Sequence, residues 1–165
     1  SRGIDWSSWD IGSQTPVQYL DDMGLFDSLT LAVHLLNIND GDIKILAQSE
    51  TKVCVCPRSN WNLHKRLPDI EKMRHYGIQP ALGTDSLASC DSLDIFDEMI
   101  FVRSHYPGLD PEYIFSMGTL FGANALGVQG VTGTLFKGKK AQFLYRPINR
   151  INKKNLFERM ISNEQ

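Results

Sequence analysis

The sequence predicts an α/β fold made of about three strand–helix units, part of an eight-stranded (βα)8 barrel of the TIM type. Three observations carry that reading. Apolar runs at Leu29–His34, Val53–Cys56 and Ala81–Leu82 each end in polar residues: His34, then Pro57-Arg58-Ser59-Asn60, then Gly83-Thr84-Asp85-Ser86. Each run is followed by apolar residues at helical spacing. The units recur at about 25 residues, close to one strand plus one crossover helix. In such a layout the chemistry collects at the carboxyl ends of the strands.

The elements follow in order. Residues 1–14 contain Trp6 and Trp9 without periodicity and read as irregular; either ring could stack on a substrate or anchor a core. Thr15 caps a helix, with Pro16 at its first position, Gln18 completing a capping box and Gly24 as its stop. Leu29–Leu35 is nearly continuously apolar, the pattern of a strand covered on both faces. Asn39 or Asp40 starts a helix with Ile43, Leu46 and Ala47 on one side, and Val53–Cys56 forms the next strand. A helix begins near Pro68 and stops at Gly77, and Ile78–Gly83 is the third strand. Asp91 caps a long helix through Leu93, Phe96 and Ile100, and Asp110-Pro111-Glu112 opens another that closes at Gly127. Gly133–Phe136 and Ala141–Tyr145 flank Lys137-Gly138-Lys139-Lys140 as a two-stranded hairpin. From Asn149 the chain is polar and basic, with a solvated terminal helix around Leu156, Met160 and Ile161. The divisions are therefore an irregular segment 1–14, a partial barrel 15–128, a hairpin 129–147 and a polar tail 148–165.

At 165 residues the chain is long enough to bury one core. Its net charge of −2 gives no general attraction to nucleic acid or anionic membrane. No apolar run is long enough to span a bilayer and no segment resembles a signal peptide. Cys54, Cys56 and Cys90 are too few for a disulfide framework and point to a reducing, cytoplasmic setting. No glycine-rich phosphate fingerprint follows a strand. The chain opens at Ser1 without methionine, so it is either processed or part of something longer.

Asp85 is the sharpest candidate. A carboxylate just past a buried strand, between Gly83 and Ser86, can bind a divalent metal and take a proton from water, or it can simply cap a turn. His34, at the end of its own run, is either a ligand or acid/base group or a hydrogen-bonded core histidine. Arg58 could hold an anionic group, and Ser59 and Asn60 a polar one, unless the segment is a plain tight turn. Cys54 and Cys56 share a strand face as small thiols, and Cys90 has no base beside it. His64, His75 and His105 read as surface residues, and Asp94, Asp97 and Glu98 as the solvated side of a helix.

Taken in order, His34, Cys56-Pro57-Arg58-Ser59-Asn60 and Leu82-Gly83-Thr84-Asp85-Ser86-Leu87-Ala88-Ser89 closely resemble the carboxyl-terminal half of the metal-dependent amidohydrolase superfamily, in its deaminase and chlorohydrolase branch. The likeness runs from about Thr15 to Tyr145. It includes Gly122–Gly127 and Gly133–Ala141, similar to the family's late helix and its return to a small composite β-sandwich. The run Leu82–Ser89, with Thr15-Pro16-Val17, is most similar to deaminases of modified adenosines of the aminofutalosine type. The resemblance implies that Asp85 is the eighth-strand carboxylate, binding zinc or iron and moving the proton of the attacking water. It makes His34 the sixth-strand histidine that orients water and substrate. Arg58, Ser59, Asn60 and Ser86 stand beside them as the candidate substrate contacts. The reaction implied is hydrolytic deamination of a purine-like, pyrimidine-like or modified-nucleoside heterocycle.

The family's first-strand His-x-His pair, its fifth-strand histidine and its catalytic glutamate have no counterpart here, and Gln142 stands where an aspartate is usual. The expectation is therefore a fragment that is inactive alone, binds no metal alone, and self-associates or pairs with a missing barrel half. Two alternatives stand beside it: a non-catalytic half-barrel association module, and a chlorohydrolase acting on a heterocycle.

Overall fold

The computed structural model describes residues 12–145 and 155–162. Trp6 and Trp9 lie outside the described residues. The order is α1 (Pro16–Asp22), β1 (Leu31–Val33), α2 (Asp40–Gln48), β2 (Lys52–Val55), α3 (Pro57–His64), α4 (Ile70–His75), β3 (Ala81–Leu82), α5 (Ile95–His105), α6 (Pro111–Met117), α7 (Leu120–Ala125) and α8 (Leu156–Met160). The three strands form a parallel sheet in the order β1-β2-β3, with Ala32 opposite Val53 and Val55 opposite Leu82. Parallel neighbours require crossovers. Helix α2 supplies the first, and α3 with α4 the second.

Local chemistry sets most boundaries. Thr15 accepts from the Gln18 amide while the Gln18 side chain reaches back to the Thr15 amide. Asn39 and Asp42 do the same at α2. The Thr15 hydroxyl also donates to the buried Asp42 carboxylate, tying the two helix starts together. Helix α4 ends at Gly77, whose φ of +81° lets the Ile78 amide return to the Met73 carbonyl at 3.0 Å. An L side chain resists that conformation, so the stop needs glycine.

The core lies on the helix side of the sheet. Val53 and Val55 meet Ile43 and Leu46 of α2, Ile70 and Met73 of α4, Met99 and Val102 of α5, and Ile114 and Met117 of α6.

Several expectations are corrected. Strand β1 is an edge strand with Leu31 and Val33 exposed, so the apolar run at Leu29–Leu35 is not covered on both faces. Pro57-Arg58-Ser59-Asn60 is the first turn of α3 rather than a tight turn; Pro57 takes the first helical position, where its missing N–H costs nothing. Helix α5 is capped by Asp94, which accepts from the Phe96 amide, and Asp91 lies before it. The helix expected from 110 to 127 divides at Gly118–Thr119, where the Thr119 hydroxyl donates to the Phe115 carbonyl at 2.8 Å.

Among the described residues of 129–145 there is no strand. Leu135, Phe136, Phe143 and Leu144 are exposed, and two strands without a third or a packed face are only marginally stable. The described part of the tail is docked rather than solvated. Ile161 is buried, Phe157 meets Phe115 and Arg103 pairs with Glu158. No helix among the described residues is long and apolar enough to cross a membrane.

Leu46→Ala removes a fully buried side chain between α2 and the sheet, and is expected to lower unfolding free energy by about 2–5 kcal/mol in urea titrations. Leu29→Ala, at an exposed position before β1, is expected to change it by less than about 0.5 kcal/mol.

Candidate functional site

The carboxyl ends of the three strands converge around the first turn of α3. That helix leaves the middle strand, so its start lies between β1 and β3. His34 follows β1 and donates its amide to the Cys54 carbonyl at 2.9 Å. It then leaves the strand line at φ +70°. Asp85 follows β3 at φ +62°. A side chain in this region costs about 1–2 kcal/mol, less for Asp, whose short polar group bonds locally. Strain of this kind persists where surrounding contacts impose it, and it gathers at functional sites.

Those contacts come from α3. The Ser59 hydroxyl donates to Asp85 Oδ2 at 2.7 Å, and Ser89 donates to the same oxygen at 3.2 Å. These bonds, Ser59 first, hold the Asp85 carboxyl below the usual carboxylate range; Ser89, the nearby His34 ring and the Ser86 amide act in the same direction. His34 Nδ1 lies 2.9 Å from Asn60 Oδ1. An amide oxygen only accepts, so Nδ1 carries the proton in this bond, and in the uncharged form of the ring Nε2 presents a lone pair. Nε2 stands 4.0 Å from Asp85 Oδ2, and both side chains are open to solvent, 45% and 33% exposed.

Asp85, His34, Ser59 and Asn60 are thus brought together, with a division of labour the sequence does not display. Ser59 and Asn60, read as substrate contacts, are 1% and 2% exposed and hold the aspartate and the histidine instead. Ser86 is a turn residue: its hydroxyl accepts the Ala88 amide, and its carbonyl accepts those of Ser89 and Cys90.

Arg58 is not free to receive an anion. Its guanidinium is paired with Asp91 and lies 3.9 Å from Asp97 and 3.7 Å from Glu98. Glu98 is fully buried, and burial pushes its carboxyl up to about 7 in spite of Arg58. The expectation of a solvated helix side shared with Asp94 and Asp97 is corrected for Glu98. Its place three residues after Ile95 and four before Val102, on the core stripe of α5, is the signal that separates it from Asp94 and Asp97.

Cys54 and Cys56 do share a face. A Cβ at Gly83 would stand 2.9 and 3.2 Å from their sulfurs, so only glycine lets β3 run this close to β2 before turning to Asp85.

Among the described residues no three His, Cys, Asp or Glu side chains form a metal-binding group. Asp85 and His34 are two donors where zinc takes three or four protein ligands. The described residues alone do not fit a divalent metal.

The model of the amidohydrolase family matches residues 4–155. The chain belongs to the amidohydrolase family. Among its relatives in that family are the aminodeoxyfutalosine deaminase of Deinococcus radiodurans, 36% identical over 132 residues, and the 5-methylthioadenosine/S-adenosylhomocysteine deaminase of Caldanaerobacter subterraneus, 34% identical over 144. These alignments cover 80% and 83% of this chain but 31% and 33% of the relatives. The amidohydrolase chain therefore spans about a third of the length of the curated relatives it matches. The structure of an adenosine deaminase from Xanthomonas campestris with bound zinc superimposes at a TM-score of 0.73 with 29% identity, covering 82% of this chain and 32% of that one.

Two predictions follow from the electrostatics. Ser59→Ala removes the leading bond to Asp85 and is expected to raise its pKa toward the ordinary value, read by carboxyl ¹³C titration. A depressed carboxylate stabilises the fold above its unfolded pKa and loses that contribution as pH falls through the folded one. With a smaller gap between its folded and unfolded values, Asp85 should contribute less stability at neutral pH in this variant, which should therefore lose less to acid than the parent. Glu98 has the opposite sign. Its folded pKa of about 7 lies above the ordinary 4.5, so stability is full below about 4.5 and falls as pH rises through 7, by on the order of 3 kcal/mol. Glu98→Gln is expected to flatten that fall in denaturant titrations at pH 5 and pH 8.

Proposed function

We propose that this chain supplies the Asp85–His34 pair of an enzyme that hydrolytically deaminates a nucleoside-like heterocycle of the modified-adenosine type. The observation that carries the reading is the pairing of the Asp85 carboxylate and the Nε2 of His34, 4.0 Å apart at the ends of parallel strands. With the ring uncharged both are acceptors, and together they suit a molecule with two protons to donate. A water donating to both at about 2.8 Å would place them about 90° apart, near its natural angle. Hydrolytic deamination adds water to the amino-bearing ring carbon and expels ammonia. Asp85 is suited to take the proton of the attacking water and return it to the departing amine, and His34 Nε2 to hold the water and substrate in line.

The deaminase names of the relatives and their shared length with this chain support the substrate class. The three strands are read as three of eight in a (βα)8 barrel, with Asp85 as one ligand of a divalent metal, zinc or iron, whose other ligands lie outside the described residues. The chain is read as pairing with the rest of such a barrel or with itself. Three free cysteines agree with a reducing cytoplasm.

The protein expressed from its complete reading frame is expected to release ammonia from 5′-deoxyadenosine, 5′-methylthioadenosine or aminodeoxyfutalosine. Asp85→Asn should lower kcat/KM by about 10²–10⁴-fold. Residues 1–165 assayed alone should be inactive. No ammonia from any of the three, or an Asp85→Asn variant as active as the parent, would overturn the reading.

A further inference from the structure

We propose that Glu98 is a positioning residue for the Asp85–His34 pair, acting from α5 through the first turn of α3.

Helix α3 begins without a local cap. Its cap residue, Cys56, makes no side-chain hydrogen bond to the first turn, and Pro57 has no N–H to offer. The first amide needing an acceptor is therefore that of Arg58, and it donates to Glu98 Oε2 at 3.3 Å. The cap of α3 thus comes from a helix 40 residues further along the chain. Beyond Arg58 the turn continues directly into Ser59 and Asn60, which hold Asp85 and His34. Asn60 closes the first helical bond to the Cys56 carbonyl at 3.0 Å, so the anchored amide and the two holding side chains belong to one rigid turn.

The anchor itself is fixed. Glu98 immediately precedes Met99 on a helix whose Met99 and Val102 are buried in the core. Arg58 also folds its guanidinium back over the same carboxylate, with Nη1 and Oε1 facing each other at 3.7 Å, both buried and neither hydrogen-bonded to another group.

Stability alone does not account for this arrangement. A buried ion pair is weak evidence of stabilisation, because desolvation offsets attraction and apolar replacements are often neutral or better. Glu98 shows that cost in its raised pKa. Geometry is what it supplies: displacing a reacting group by about 1 Å can cost about 10²-fold in rate.

The test reads the histidine directly. In the full chain labelled with ¹⁵N-histidine, with the His34 signals assigned by loss in His34→Gln, the parent should show the split ring-nitrogen shifts of a single Nδ1–H tautomer. Glu98→Gln, which keeps a carbonyl acceptor for the Arg58 amide, should retain that split. Glu98→Met, of similar volume with no such acceptor, should lose it to averaged shifts. Glu98→Asp, which withdraws the acceptor by one methylene and keeps the charge, should lose it as well. A folded Glu98→Met or Glu98→Asp with the parent's split would overturn the proposal. In the unmodified chain the Arg58 amide should be protected from hydrogen exchange, and exchange at the rate of an unstructured amide would overturn it even where neither variant folds. The catalytic meaning of this positioning rests on the deaminase reading. The shifts are measured without substrate, so either can fail alone.

Discussion

The arrangement depends on a helix start wedged between two strand ends. Ser59 and Asn60 are consecutive, polar and almost wholly buried, and a buried polar group left without a partner costs about 1–3 kcal/mol. Their partners are Asp85 on one side and His34 on the other. The bonds that satisfy the Ser59 hydroxyl and the Asn60 side-chain oxygen are therefore also the bonds that set the site, while the Asn60 side-chain nitrogen is buried without a partner. The same bonds hold His34 and Asp85 in backbone conformations that neither would choose in isolation.

This wedge is carried outward into the core by α5. One turn of that helix places Glu98 against the Arg58 amide and Met99 among the core side chains. The sheet is held from the other direction, where Gly83 allows β3 to lie against the Cys54 and Cys56 sulfurs. Packing on the helix side of the sheet thus fixes the distance between side chains that emerge at the strand ends. A chain with so short a sheet, two to four residues per strand, has few other means of holding that distance.

Much of this was legible in the sequence, for identifiable reasons. The capping box at Thr15 and a helix start at Asn39 are local signals and stand where expected. The strand–helix alternation and the placing of His34 and Asp85 at strand ends need only periodicity and order. What escaped depends on contacts distant in sequence. Pro, Ser and Asn suit both a turn and a helix start, and only the carboxylate of Glu98, 40 residues on, decides for the helix. Asp91 and Asp94 are equally good caps by type; Asp91 is drawn away by Arg58. The hairpin had the right turn residues but no third strand or packed face among the described residues. Ile161 reads as part of a solvated tail because nothing local marks the packing of α8, which it follows, against α6.

Magnitudes decide what holds Asp85 and His34 in place. At 4 Å, charges in a water-like medium interact by about 1 kcal/mol, and a third to a half of each side chain is open to solvent. That is too little to fix a geometry, although the His34 ring does help hold the Asp85 carboxyl down. Mutual attraction cannot set their separation. The Ser59 and Asn60 bonds come from buried side chains and are shielded from competing water, and the one to the Asp85 carboxylate is worth about 1.5–3 kcal/mol. The pair is thus held from behind and left unsatisfied in front. That is the arrangement a site needs if its two acceptors are to be answered by a donor from solution rather than by each other.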